Sequence, residues 1–365
     1  MLWLNKSRIV FLVGSQARSK KISDLLVKIS ENFNIPVATT VSAKGVFPED
    51  HRNSLGCFGY MGNKRAIDLL TSSNVDFIVR LGFDFTQWNT LAWDKTFLNH
   101  EFASVHQNVD LLDKYTQCKH PIFSSISAFF KHFLNHTDSL LKKNYARDLW
   151  LKDILATPKH YDIANTKLDT HNEKIHPAYV VTKLRKLFPR ETVIFVDSGT
   201  HRAFTGHYWE SYGPYDYFST TTIGPMGWAI PSSIGAKLAQ PEKPMLVITG
   251  DGCMLMHGIE IQTAAKYNID ITYVVINNSY YGQTYFNNVN NLEELSDLPD
   301  HNFKLFAESL GLIAFRVEKP RDVEKVIETA LNIKGPKLIE IICDHSYQTP
   351  IYPYKEALAR LNEEN

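Results

Sequence analysis

Cysteine is scarce in this chain. Cys57, Cys118, Cys253 and Cys343 are the only four, and no two form a CxxC pair. That scatter excludes a zinc ribbon and a disulfide framework, and it suits a reducing compartment such as the cytoplasm. Net charge is lacking too. Lys plus Arg and Asp plus Glu balance at 39 each, so there is no excess to attract nucleic acid or an anionic membrane surface. No run approaches the roughly 20 apolar residues needed to span a bilayer. The opening MLWLNKSRIVFLVGS starts apolar but carries no cleavage pattern. Low-complexity tracts and short repeats are also missing. What remains is ordinary globular material, 44% apolar over 365 residues, with room for two domains that each have a core.

The most informative stretch runs from Met245 to Asn278. An apolar run, Met245 to Thr249, stops at Gly250-Asp251-Gly252. Helical spacing follows from Cys253 to Tyr267. A second β-branched run, Ile271 to Ile276, stops at Asn277-Asn278. This is a βαβ unit, whose two strand ends share one edge of a parallel sheet. Open α/β sheets bind ligands at that edge. Asp251 and Asn278 would face each other there, as hard oxygen ligands suited to Mg²⁺ on a phosphate-bearing ligand. Glycines at Gly250 and Gly252 allow close backbone approach, and a helix N-terminus favours an anion. Each dipeptide alone is also common turn chemistry.

The rest of the chain repeats the alternation. Strands are expected at Arg8–Val13, Ile35–Thr40, Val75–Leu81 and Phe102–Val109, with helices at Lys20–Phe33 and Ala66–Thr71. Residues 136–174 read as a polar, partly helical connector whose His136, His160 and His171 are expected to be solvated. A helix to Leu187, a strand Thr192–Asp197 and a last strand Lys337–Ile342 follow. The fold class is α/β, with two doubly wound parallel-sheet domains. They are a Rossmann-like domain at 1–135 and a second domain at 175–350, with a partly helical tail at 351–365.

Gly250-Asp-Gly252, then 24 residues, then Asn277-Asn278 resembles the diphosphate and metal motif of thiamine diphosphate (ThDP) enzymes. Thr222-Ile-Gly-Pro-Met-Gly-Trp-Ala-Ile-Pro-Ser-Ser-Ile-Gly-Ala-Lys237 resembles the preceding segment in acetolactate synthase. Lys44-Gly-Val-Phe-Pro-Glu-Asp-His51 and Leu55-Gly-Cys-Phe-Gly-Tyr-Met-Gly62 resemble that family's middle domain. The resemblance implies ThDP and Mg²⁺ as cofactors and a 2-oxo acid as substrate, decarboxylated with or without ligation to a second carbonyl. It implies Asp251, Asn278 and the Tyr280 carbonyl as metal ligands. Around the cofactor it implies Thr200 and His201 at the diphosphate, Gly224 and Met226 at the aminopyrimidine, and Gly250, Gly252 and Cys253 in the motif turn. Met226 would wedge between the cofactor's rings.

Departures from the family pattern set two further expectations. Met61, Asp84 and Asn108 stand where flavin-binding relatives carry histidine, arginine and an acid, so FAD binding is not expected. Gln283 and Asn287 replace a methionine and a tryptophan of acetolactate synthase, which leaves the substrate open. The family's N-terminal pyrimidine-binding domain, with its activating glutamate, has no counterpart here, and neither Glu49 nor Glu260 lies in a matching context. The expected partner is therefore a separate pyrimidine-domain chain, another copy in a homo-oligomer, or both, with no turnover by the chain alone. A non-catalytic assembly or regulatory relative, or a truncated product, are the other readings.

Overall fold

The computed structural model describes residues 6–111, 118–137, 145–161, 174–283 and 293–363. The chain divides into two compact units. The first takes in residues 1–161, 210–215 and 350–365, and the second 162–209 and 216–349.

The first unit is built on six parallel strands: β1 (Ile9–Val13), β2 (Val37–Thr39), β3 (Ser54–Cys57), β4 (Phe77–Leu81), β5 (Phe102–His106) and β6 (His120–Phe123). Their spatial order is β3-β2-β1-β4-β5-β6. The reversal between β1 and β4 is the doubly wound switch point. The central strands are apolar because helices cover both faces; all five residues of β1 are buried. Helix Lys20–Phe33 packs Leu26 and Ile29 into this core and stops at Asn34, whose φ of 49° is left-handed. Helix Tyr145–Ala156 and the C-terminal helix Tyr352–Glu363 also belong to this unit.

The second unit repeats the plan with β7 (Val193–Val196), β8 (Tyr217–Ser219), β9 (Met245–Gly250), β10 (Thr272–Asn277), β11 (Ile313–Val317) and β12 (Lys337–Ile342). The order is β11-β12-β10-β9-β7-β8, again all parallel. Its switch point lies between β7 and β9.

The observed elements differ from expectation in three respects. The expected helix Cys253–Tyr267 starts at Asp251 and is broken into Asp251–His257, a 3₁₀ turn Gly258–Glu260 and Ile261–Lys266. Gly258 is a weak helix former, and a Cβ there would stand 2.9 Å from Met254 Cε, so the bare backbone makes room for Met254. Four strands were not anticipated: β3, β6, β8 and β11. Finally, His160 is not simply solvated, since its Nδ1 lies 3.1 Å from Asn63 Nδ2. His171 and the side chain of His136 lie outside the described residues, as does Asn287. None of the described helices is long and apolar enough to cross a membrane.

Candidate diphosphate and metal site

Three interior strands of the second unit end at one edge. β7 runs into Asp197-Ser-Gly-Thr-His201, β9 into Asp251-Gly-Cys253, and β10 into Asn278. A pocket opens between these ends. Its walls include Thr200, His201, Met226, Gly250, Asp251, Gly252, Cys253, Asn278 and Tyr280. Its volume is about 80 Å³, well under the roughly 300–1,000 Å³ of a site that engulfs a whole drug-sized ligand. The space suits a small anionic group with a cation.

Asp251 is 5% exposed. Oδ1 accepts from Gly252 N at 2.7 Å and Oδ2 from Asn278 N at 3.0 Å. Burial raises its pKa above the ordinary carboxylate value, against the opposing pull of N–H groups from Gly252, Asn278, Ser279 and Tyr280. Asn278 Oδ1 accepts from Tyr280 N at 3.2 Å, and the Tyr280 carbonyl accepts from Gly282 N at 2.8 Å. The donor set is one carboxylate, one amide oxygen and one main-chain oxygen, each with a further lone pair. All are hard ligands fit for Mg²⁺. Among the described residues there is no cluster of three or more His, Cys, Asp or Glu side chains, so any cation would rely on this mixed set.

His201 closes the opposite wall. Its ring is buried against two glycines: a Cβ on Gly199 would lie 2.6 Å from Cε1, and one on Gly250 would lie 2.8 Å from Nδ1. Burial, and then the Arg202 charge, push its pKa down to about 3. Its Nε2 is buried without a hydrogen-bond partner, which leaves that ring nitrogen for a ligand to satisfy. Helix Thr200–Tyr208 begins here, with Gly199 as N-cap at φ 153°, and its first residues Thr200 and His201 line the pocket; a helix N-terminus favours an anion. Across the pocket, a Cβ on Gly252 would stand 2.9 Å from Met226 Cε, so Met226 lies on the motif turn itself. The Cys253 thiol donates to Ser198 O at 3.1 Å and ties the two turns together; burial raises its pKa to about 12.

Gly224 is the one candidate not in the pocket wall. It is left-handed at φ 70°, and a Cβ there would come 3.3 Å from Arg202 Nη1. The residue that sequence reasoning passed over is Asp197. It is fully buried, and its carboxylate accepts from Ala229 N at 3.1 Å and Thr249 Oγ1 at 2.8 Å. It thereby ties the start of helix Ala229–Ala239, just after the Gly224–Gly227 loop, to β9. An acid ending an apolar strand just before Ser-Gly was the available signal. Glu49 and Glu260 do not line the pocket. Glu49 is buried against Lys44, which donates to both of its oxygens at 2.7 and 2.6 Å.

The switch point of the first unit has different chemistry. Ser15 Oγ donates to Asp84 Oδ2 at 2.7 Å, so a carboxylate stands beside the turn that follows β1. Gly14 and Gly82 are pressed together, with a Cβ on Gly14 only 2.2 Å from Gly82 O. Met61 is fully buried at φ 62°, and Asn108 N donates to His106 Nδ1.

A parallel sheet whose strand ends gather an acid, an amide, glycines and a helix N-terminus defines an α/β diphosphate-binding domain. Comparison with known proteins gives the family. Residues 197–341 match the C-terminal TPP binding domain of thiamine pyrophosphate enzymes, and residues 2–133 match their central domain. The chain is 26% identical over 95% of its length to a probable acetolactate synthase large subunit of Methanococcus aeolicus. It is 27% identical over 95% to that of Methanocaldococcus jannaschii, and 26% identical over 94% to the isozyme 3 large subunit of Escherichia coli. It spans 60%, 59% and 60% of those proteins, respectively. The chain belongs to the thiamine pyrophosphate enzyme family and is acetolactate synthase-like.

Proposed function

We propose that the second unit binds the diphosphate end of ThDP together with Mg²⁺, in an acetolactate synthase-like protein acting on a 2-oxo acid in the cytoplasm. The observation that carries this reading is Asp251, buried at the end of β9 and bonded to the backbone of Asn278 at the end of β10. Asp251, Asn278 and the Tyr280 carbonyl would hold the cation. The Thr200 hydroxyl and the His201 imidazole would meet the phosphates, and Gly250, Gly252 and Cys253 would present their backbone at close range. Met226 would pack against the cofactor rings, with the Gly224 backbone above. Bound ThDP supplies the electron sink for decarboxylation of a 2-oxo acid. The protein must supply orientation and a carboxylate at the cofactor's pyrimidine. Asp251 is the one acid lining this pocket among the described residues, and the pyrimidine-binding carboxylate would come from a partner.

Exposed apolar side chains support a partner on this side of the unit. Ile223 is 91% exposed, and Leu255, Met256 and Ile259 are 44%, 51% and 48% exposed. They flank the Met226 loop and the motif helix in sequence, and solvent-facing apolar groups in number favour association. The partner would be a second copy or a pyrimidine-binding domain. The first unit would carry no flavin, because the Asp84 carboxylate repels a pyrophosphate.

Calorimetric titration of the chain with ThDP, with and without Mg²⁺, tests the site. Asp251→Ala should abolish the Mg²⁺-dependent part of the affinity, and unchanged affinity would overturn the assignment. The chain assayed alone with pyruvate, ThDP and Mg²⁺ should show no turnover, and turnover should appear when a pyrimidine-binding domain is added.

A further inference from the structure

β12 lies inside the second sheet, between β10 and β11, yet it carries a Glu340 with no exposed surface. Interior strands of a parallel sheet are normally unbroken apolar runs. Arg316 on β11 donates to Glu340 Oε1 at 3.0 Å. A buried ion pair of this kind adds little net stability over apolar residues of the same volume, so its place here calls for a positional reason.

That reason lies in the other bonds. Glu340 Oε1 also accepts from Asn277 Nδ2 at 2.8 Å, and Oε2 accepts from Lys304 N at 3.1 Å. Asn277 is the last residue of β10. With Nδ2 committed to Glu340 and to His301 O at 3.2 Å, its Oδ1 is left to accept from Ser279 N at 3.3 Å. Ser279 is left-handed, with φ 55°. A non-glycine residue persists in that conformation only when its surroundings over-determine it. Asn277 Oδ1 holds the Ser279 N–H, and Leu298 N, donating to Ser279 O at 2.8 Å, holds its carbonyl. The turn follows directly on Asn278, whose N–H donates to Asp251 Oδ2 at 3.0 Å, and Tyr280 N in turn donates to Asn278 Oδ1 at 3.2 Å.

We propose that Glu340 is a positioning residue for the cation site, acting through Asn277 to hold Ser279 left-handed and so to place the Asn278–Tyr280 turn against Asp251. The functional half of this inference rests on the Mg²⁺–diphosphate reading; the clamp itself does not.

Glu340→Gln is nearly isosteric but sets an amide against the network. Asn277→Ser cuts the link while leaving the Glu340–Arg316 pair intact. Hydrogen exchange on the unliganded chain should speed up about tenfold in peptides covering residues 277–283 in both variants, with the other strands unchanged. Calorimetry with ThDP should show Mg²⁺-dependent affinity weakened about tenfold, the low end for residues that orient metal ligands, while affinity in the presence of a chelator is unchanged. Adding Ser279→Gly, which adopts the left-handed turn unaided, should restore most of the cation-dependent affinity of Glu340→Gln. Unchanged exchange at 277–283, or an equal rise throughout the sheet, would overturn the clamp. The local exchange effect in a chain whose unaltered form shows no Mg²⁺-dependent binding would support the clamp and sink the reading of the site.

Discussion

Gly250→Ala isolates the packing of His201 from every backbone effect. Gly250 has φ −111° and ψ 169°, an extended conformation open to any residue, so alanine brings no strain of its own. It should even gain about 0.4–1 kcal/mol by restricting the unfolded chain. Against this stands the new Cβ, 2.8 Å from His201 Nδ1 and 2.9 Å from Cε1. The ring cannot yield easily, because the opposite glycine, Gly199, already limits it. Overpacking of this sort costs about 1–3 kcal/mol, leaving a net loss of about 1.3 kcal/mol at the middle of the two ranges. For a unit of this size that is a fall of about 3–5 °C in Tm. In a His201→Ala background the clash has no partner, and Gly250→Ala should be neutral or mildly stabilising. Thermal unfolding of the four proteins gives the coupling directly, expected at about 1–3 kcal/mol. An equal cost of Gly250→Ala in both backgrounds would refute the reasoning and mean that His201 does not pack on the motif turn.

The buried histidines predict an acid-sensitive fold. His201 at about 3 and His176 at about 4 lie below the unfolded value of 6.5, so the unfolded chain binds more protons between those limits. Their contribution is present above about pH 6.5 and is lost as pH falls toward 3–4. Asp197 and Asp251, whose pKa values are raised, act with the opposite sign, so the readout is the difference between proteins. The unaltered chain should lose more stability than His201→Gln on going from pH 6.5 to 4 in urea titrations, and parallel profiles would show that this ring is not buried neutral. Purified protein should show no flavin absorbance; a flavin spectrum at near-stoichiometric occupancy would mean that Asp84 is tolerated beside a pyrophosphate.

The strands legible in the sequence and those that were not divide by position in the sheet. The interior strands β1, β2, β4, β5, β7, β9, β10 and β12 announced themselves, most of them as apolar runs, because a parallel sheet covered on both faces demands such residues. The four passed over, β3, β6, β8 and β11, are the outer strands of the two sheets. Ser-Leu-Gly-Cys, His-Pro-Ile-Phe and Tyr-Phe-Ser are too short or too mixed to show a period. In β11, Ile313 is half exposed and Arg316 reaches inward to Glu340. An edge has one neighbour to satisfy, so its composition is looser and its signal weaker. The site divides in a similar way. Gly250, Asp251 and Asn278 were legible because they interrupt apolar runs. The left-handed Ser279, the buried Asp197 and the pressing of His201 against Gly250 were not, since each depends on a contact between segments far apart in the chain.

Register is what turns those interruptions into a site. Ile276 lies opposite Gly250 in the β10–β9 pair, and Val196 lies opposite Ile248 in the β7–β9 pair. Those pairs end one residue before Asp251, two before Asn278 and two before Ser198, so the register delivers all three to the same edge. The separation of 24 residues between the two motifs cannot produce that alignment, because the helical segment between them could be longer or shorter without moving the strands. It follows from the paired apolar runs, whose side chains must alternate between two covered faces. A slip of one residue would send each to the wrong face. The same constraint that buries Val247, Ile248, Val274 and Val275 therefore sets Asp251 beside the Asn278 amide. A substitution deep in β10 that shifted its register should weaken the cation site before it touched any residue of the pocket wall.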